Sequence, residues 1–152
     1  MSEVVVREAR AEDLEAIVGL HEADALGRHG DRWSPDSRTA YEAAFAAIRD
    51  SRDNALYVAE RDGRVVGTFQ LTFIPSLTGQ GALRARVGSV QVAEALRSRG
   101  IGARTMARAE EVARARGARS MELASNRTRA DAHRFYERLG FARSHEGFRK
   151  SL

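Results

Sequence analysis

The sequence predicts an α/β fold built on a mixed β-sheet, and three observations carry the prediction. Short β-branched runs alternate with segments whose apolar residues recur at helical spacing. Two neighbouring strand-like runs are separated only by Arg61-Asp62-Gly63-Arg64, and Asp-Gly suits the positive φ angles of a tight antiparallel hairpin. Helices interspersed with such a hairpin exclude a purely parallel sheet. The 152 residues contain no repeat, no low-complexity tract and no linker, so the expected organisation is a single domain over 1–152.

Taken in order, Val4 to Val6 is a β-branched strand. From Ala11 to His21, Leu14, Ile17, Val18 and Leu20 make a helical stripe, with Glu12 and Asp13 complementing the dipole of the first turn. A connection from Gly27 to Pro35 leads to a second helix, whose stripe is Tyr41, Ala44, Phe45 and Ile48. Leu56–Glu60 and Val65–Ile74 are the hairpin strands, and Pro75 stops the second. A glycine-containing loop, Ser76 to Ala82, precedes a strand from Leu83 to Val92. The helix from Ala103 to Arg116 ends at Gly117, a C-cap. Ser120 to Ala124 is the next strand. Asn126 or Thr128 caps a helix from about Arg129 to Leu139, ended by Gly140, and Phe141–Ser144 and Gly147–Leu152 are expected as closing strands.

Composition narrows the function. With no cysteine, disulfides, thiol nucleophiles and thiolate metal sites are excluded, which suits a cytoplasmic location. No apolar run approaches the ~18 residues of a membrane span, and no signal peptide pattern opens the chain. The net charge of +4 invites a nucleic-acid reading, but arginines alternate with acids, as in Arg108, Glu110, Glu111 and Arg114. That is the pattern of solvated helix faces. No nucleic acid and no membrane partner are expected. The four histidines are scattered without metal-ligand spacing, so no metal is expected.

The segment Gln91 to Arg104, QVAEALRSRGIGAR, joins a strand, a basic glycine turn and a helix start. Glycines admit close backbone approach, and a helix N-terminus offers unbonded N–H groups and about half a positive charge. Phosphate oxygens bind there. Arg97 and Arg99 add forked donors. A P-loop would need GxxxxGK[ST], but the only lysine is Lys150; a dinucleotide fingerprint would need GxGxxG, but Gly102 is followed by Arg104 and Thr105. What remains, Arg97-x-x-Gly100-x-Gly102 after a strand, resembles the acetyl-CoA diphosphate motif of the GNAT N-acetyltransferases. The resemblance runs along nearly the whole chain: VVVREARAEDLEAI at the start, the Asp62-Gly63 hairpin, Ser125-Asn126, and AHRFYERLGF from Ala132 to Phe141.

The resemblance implies a splayed sheet flanked by helices on both faces, with a pantetheine arm in the cleft beside the strand of Val90 and Val92. It implies an acetyl-CoA-dependent N-acetyltransferase of a small primary amine, acting by direct transfer, and a possible homodimer. The cofactor-binding set it implies is Val90, Val92, Arg97, Arg99, Gly100, Ile101, Gly102, Ala103, Asn126 and Tyr136. Tyr136 is the expected acid, or hydrogen-bond donor, for the departing thiolate; burial beside Phe135 would explain it equally well. Asn126 would contact the pantetheine or diphosphate arm, or serve only as a cap.

The base is where the chain departs from its relatives. Many carry an acidic residue two positions before the Val90 equivalent, and here that residue is Gly88. Replacements within the sequence are Glu122, His133, His145, Glu146, His21, Glu22 and Asp24. His145 is a tentative base, because its turn precedes the last expected strand and histidine titrates in the right range. Arg84 and Arg86, ahead of the central strand, would favour an amine that also bears a carboxylate or phosphonate if they face the acceptor. Two other readings stand beside the enzyme: a catalytically lapsed acyl-CoA sensor, favoured by Gly88, and a ribosomal-protein type N-terminal acetyltransferase.

Overall fold

The computed structural model describes residues 2–24 and 29–152. Gly27 and Arg28, at the start of the expected connection, lie outside the described residues. Strand β1 (Val5–Glu8) is followed by a 3-10 turn (Ala11–Asp13) that runs into helix α1 (Leu14–Glu22). Helix α2 spans Pro35–Asp50, β2 Asn54–Arg61 and β3 Arg64–Ile74. A single turn, α3 (Thr78–Gly81), leads into β4 (Arg84–Val92). A 3-10 turn (Glu94–Leu96), α4 (Ile101–Ala115), β5 (Ser120–Leu123) and α5 (Ala130–Arg138) complete the elements.

Local chemistry explains the boundaries. Ser34 caps α2 by accepting from the Ser37 N–H at 3.2 Å, and Pro35 occupies the first helical position, where its missing N–H costs nothing. Asp62 and Gly63 have φ of 52° and 73°, the two positive angles that let β2 and β3 pair through a two-residue turn.

The sheet has the order β1-β2-β3-β4-β5, antiparallel except for the parallel β4–β5 pair. It is therefore the mixed sheet expected. One face buries Tyr57, Phe69, Leu71, Phe73, Ala85 and Val87 against Met106, Ala109 and Ala113 of α4. Phe69, Leu71 and Val87 are almost wholly buried, and each such side chain contributes about 2 kcal/mol of apolar burial. Strand alternation sends Val58 and Thr68 to the opposite face, which α1 and α2 cover through Leu14, Ile17, Val18 and Phe45.

A three-residue knot ties β1 to β2 and to the 3-10 turn before α1. Arg7 donates to Asp13 at 2.8 and 3.0 Å and to Glu60 at 2.7 Å. Burial pushes the Asp13 carboxyl up, but hydrogen bonds from Arg7 and from the Arg10 N–H outweigh it and hold the group below the usual carboxylate range.

The closing strands expected over Phe141–Ser144 and Gly147–Leu152 do not form: no strand is assigned after Leu123. Phe141 packs edge-on against Tyr136, whereas the residues after it are exposed, Phe148 and Leu152 included. Phe141–Ser144 supplies one large apolar side chain, and Gly147–Leu152 supplies only Phe148 and Leu152 with Lys150 between them on the same face, too little to hold a strand at a sheet edge.

Candidate active site

The sheet divides within β4. On one side, β3 pairs with β4 as far as Gly67 and Val92; on the other, β5 pairs only from Arg84–Ser120 to Val87–Leu123. Beyond Val87 the two strands part, which is the splay the resemblance implied. At the fork the β3–β4 register steps from Gln70–Gly88 to Thr68–Gln91, so that Phe69 faces two residues, Ser89 and Val90. This is a β-bulge, and Ser89 takes φ of 51°, a left-handed angle rare in a non-glycine residue. Bulges detach backbone groups from the ladder. Here they do so where β5 no longer supplies a partner.

The second feature is the start of α4. Gly100 is its N-cap at φ of 79°, with no side chain to satisfy the first turn. The first intrahelical bond runs from the Arg104 N–H to the Gly100 carbonyl at 3.1 Å, leaving the amides of Ile101, Gly102 and Ala103 ahead of it. Gly100 and Ile101 line a shallow concavity together with Glu3, Arg61, Arg99 and Arg104. The features that suit a diphosphate are the uncapped N–H groups, the missing side chain at Gly100 and the guanidiniums of Arg61 and Arg99, whereas Arg104 is already paired with Glu3 at 2.9 Å. Arg97 lies on the same turn, with its Nε donating to the Val92 carbonyl at 3.2 Å. Gly102 has a different role from Gly100. A Cβ there would sit 3.1 Å from Phe135 Cζ, so its missing side chain makes room for α5.

Tyr136 lies partly buried on α5 between Phe135 and Phe141, at ring distances of 5.3 and 6.0 Å. Burial raises its phenol above the ordinary value and Arg129 pulls it back in part, so it holds its proton at neutral pH. Asn126 forms the turn before α5: its Oδ1 accepts from the Thr128 N–H at 3.0 Å and Oγ1 at 2.7 Å. It does not cap α5, whose N-cap is Arg129 with no side-chain cap bond; the turn lies ahead of the helix, and the amide nitrogen is the end left for a ligand. His133 bonds the Asn126 carbonyl at 2.9 Å. His145 lies in the exposed tail, with Nδ1 2.7 Å from Ser144 Oγ.

A polar link across the fork was missed by sequence reasoning. Asp24, just past α1, accepts from Gln91 Nε2 at 2.8 Å and from Arg129 Nη2 at 2.6 Å. It joins α1, β4 and the start of α5, residues 67 and 105 positions apart in sequence. No local motif announces such a contact. His21, one helical turn earlier, is partly buried; burial lowers its pKa below the ordinary histidine value, against the pull of Asp31 and Asp24.

With this geometry established, the comparisons decide the family. The profile of the Acetyltransferase (GNAT) family matches residues 11–141. The chain belongs to the GNAT acetyltransferase family. It is an N-acetyltransferase by kinship: it is 36% identical over 113 residues to the aminoalkylphosphonate N-acetyltransferase of Salmonella typhimurium, covering 74% of this chain and 73% of that one. Among solved structures, a transcriptional regulator from Bacillus halodurans C-125 superposes with a TM-score of 0.94 at 39% identity, covering 99% of this chain and all of that one. A putative acetyltransferase from Agrobacterium tumefaciens str. C58 follows with 0.84 at 26% identity, covering 97% and 99%.

Among the described residues no group of histidine and acidic side chains has a metal-binding arrangement, and no helix is long and apolar enough to cross a membrane.

Proposed function

We propose that this chain moves the acetyl group of acetyl-CoA directly to the primary amine of a small molecule. The observation that carries the reading is the pairing of two backbone devices: uncapped amides at the start of α4, and a bulge that detaches Ser89 and Val90 at the fork. Acetyl-CoA supplies an activated acetyl group and a thiolate leaving group. Ile101, Gly102 and Ala103, with Arg97 and Arg99, hold its diphosphate; Asn126 bonds the arm; Val90 and Val92 line the cleft. The Val90 N–H supports the negative charge that develops on the carbonyl oxygen.

An alkyl amine near pKa 10.4 is almost wholly protonated at pH 7, a deficit of about 4.6 kcal/mol. His21 is the favoured base, ahead of His145. It is neutral at pH 7, and Asp24 on the same end of the helix is bonded to Gln91 of β4, whereas His145 sits in an exposed tail. Tyr136 donates to the thiolate. With its phenol raised above 10 and a thiol near 8.5, full proton transfer is uphill by about 2 kcal/mol or more, so a hydrogen bond is its main contribution.

The Salmonella relative makes aminoalkylphosphonates the first acceptors to try. Release of free CoA, followed with a thiol reagent, tests the reading against a protein that has no thiols of its own. Turnover with one amine class is the expected result. The second reading, an acyl-CoA sensor, is favoured by Gly88 and by the regulator from Bacillus halodurans; CoA binding with silence on every amine would establish it.

A further inference from the structure

The face of β4 turned away from α4 presents, in order, Arg84, Arg86, Gly88 and, past the bulge, Gln91, because Ala85 and Val87 are packed in the opposite core. At Gly88 the face is open: a Cβ built there meets no atom within 4 Å. Its strand neighbour is Gln70, and Arg86 faces Thr72. Both Gln70 and Thr72 bond Asn54 Oδ1, at 3.3 and 2.7 Å, so the floor beside Gly88 is polar and uncharged.

Beyond that floor two guanidiniums share one carboxylate. Arg84 Nη1 donates to both oxygens of Glu122, at 3.4 and 3.2 Å, whereas Arg86 Nη1 stands 3.9 Å from the same group, beyond hydrogen-bond reach. Arg86 is the more exposed of the pair, at 50% against 40%. Arg84 Nε is buried without a hydrogen-bond partner. One carboxylate neutralises one of the two cations, and the other has its fork of N–H donors uncommitted to it. An ordinary surface ion pair would need only one arginine.

We infer that Arg86, backed by Arg84, is the anion-binding subsite of the acceptor pocket, and that the acceptor is an amine joined by a short carbon chain to a phosphonate or carboxylate. Glu122 is its internal counter-ion, holding Arg84 in place beside the incoming anion. The inference rests on the acetyltransferase reading. The geometry matches the chemistry: Arg86 and Gly88 are two residues apart, about 7 Å along the strand, and a guanidinium leaning along it closes most of that span. The substrate's anion then lies on Arg86 while its amine lies over Gly88, next to the bulge of Ser89 and Val90. Gly88 is empty on this account because a side chain there would occupy the space of the acceptor's carbon chain.

The test compares 2-aminoethylphosphonate, β-alanine and propylamine as acceptors in the wild type, Arg86→Met and Arg86→Lys. Arg86→Met is expected to raise KM for the phosphonate about 10- to 100-fold, the loss of a charge-assisted contact, with Arg86→Lys between the two. KM for acetyl-CoA and kcat/KM for propylamine are expected to stay within about twofold. An equal loss on all acceptors, or a wild type that takes propylamine as readily as the phosphonate, overturns the inference. Calorimetry with unreactive ethylphosphonate and CoA separates this from the function itself. Binding that Arg86→Met abolishes supports the subsite even if no amine turns over, and no binding at millimolar concentration overturns it.

Discussion

Gly102 and Phe135 are in contact: a single added carbon on the glycine would lie 3.1 Å from the ring tip. The glycine that reads as part of a phosphate motif is also the seat on which α5 rests against α4, and Tyr136 is the next residue along. Gly102→Ala gains up to about 1 kcal/mol of helix propensity and spends it on moving the ring. The expected outcome is a Tm near that of the wild type together with a several-fold lower kcat, from displaced Tyr136. Unchanged kcat with unchanged KM for acetyl-CoA would show that the contact does not position Tyr136.

Tyr136→Phe removes only a hydroxyl. Ring packing against Phe135 and Phe141 is retained, so stability is expected to change by less than about 1 kcal/mol. Loss of the hydrogen bond to the thiolate is expected to lower kcat about 10- to 100-fold with little change in KM for acetyl-CoA. Full activity in this variant would assign the tyrosine to the core alone.

His21 should appear in the pH profile. A base acts deprotonated, and burial places its pKa below 6.5, so kcat/KM should rise with pH through that lower value and be flat above it on this account. His21→Gln is expected to lower kcat/KM and to remove the acidic limb, whereas His145→Gln leaves both unchanged. The reverse pattern would return the role to His145.

Asp13 gives a stability prediction with a definite sign. Its native pKa is depressed, so the Arg7–Asp13 contact stabilises the fold above the unfolded value near 3.9 and is lost as the pH falls through the lower native value. Asp13→Asn is expected to cost about 2 kcal/mol at neutral pH, discounted for the partial exposure of Arg7. Denaturant melts at pH 7 and pH 2 check it: the gap between variant and wild type should shrink at the lower pH.

Much of this fold was legible because it is written in local chemistry. Asp62-Gly63 demands a hairpin, Gly117 and Gly140 end helices at positive φ, and Arg97-x-x-Gly100 after a strand marks the start of α4. The tail failed for a physical reason: a strand needs a partner and a buried face, and FARSHEGFRKSL offers too few apolar residues to earn either. The site divides the same way. Gly100 and Tyr136 belong to contiguous motifs, but the Asp24 link to Gln91 and Arg129 arises only when chain segments far apart in sequence meet. The Ser89 bulge depends on the register of β3, which no pattern within β4 encodes.

The fork between β4 and β5 has a consequence for how a long, thin molecule gets in. The chain's own pairing stops at Val87 and Leu123, and across the gap beyond them Asp24 bonds Gln91 and Arg129 by side chains. Admitting an arm there breaks no rung of the backbone ladder; the slot is ready-made, and at most a side-chain latch has to lift. Amide exchange would show this as a boundary within one strand: slow at Val87, fast at Ser89 and Val90, and slowed at those two only when the slot is filled.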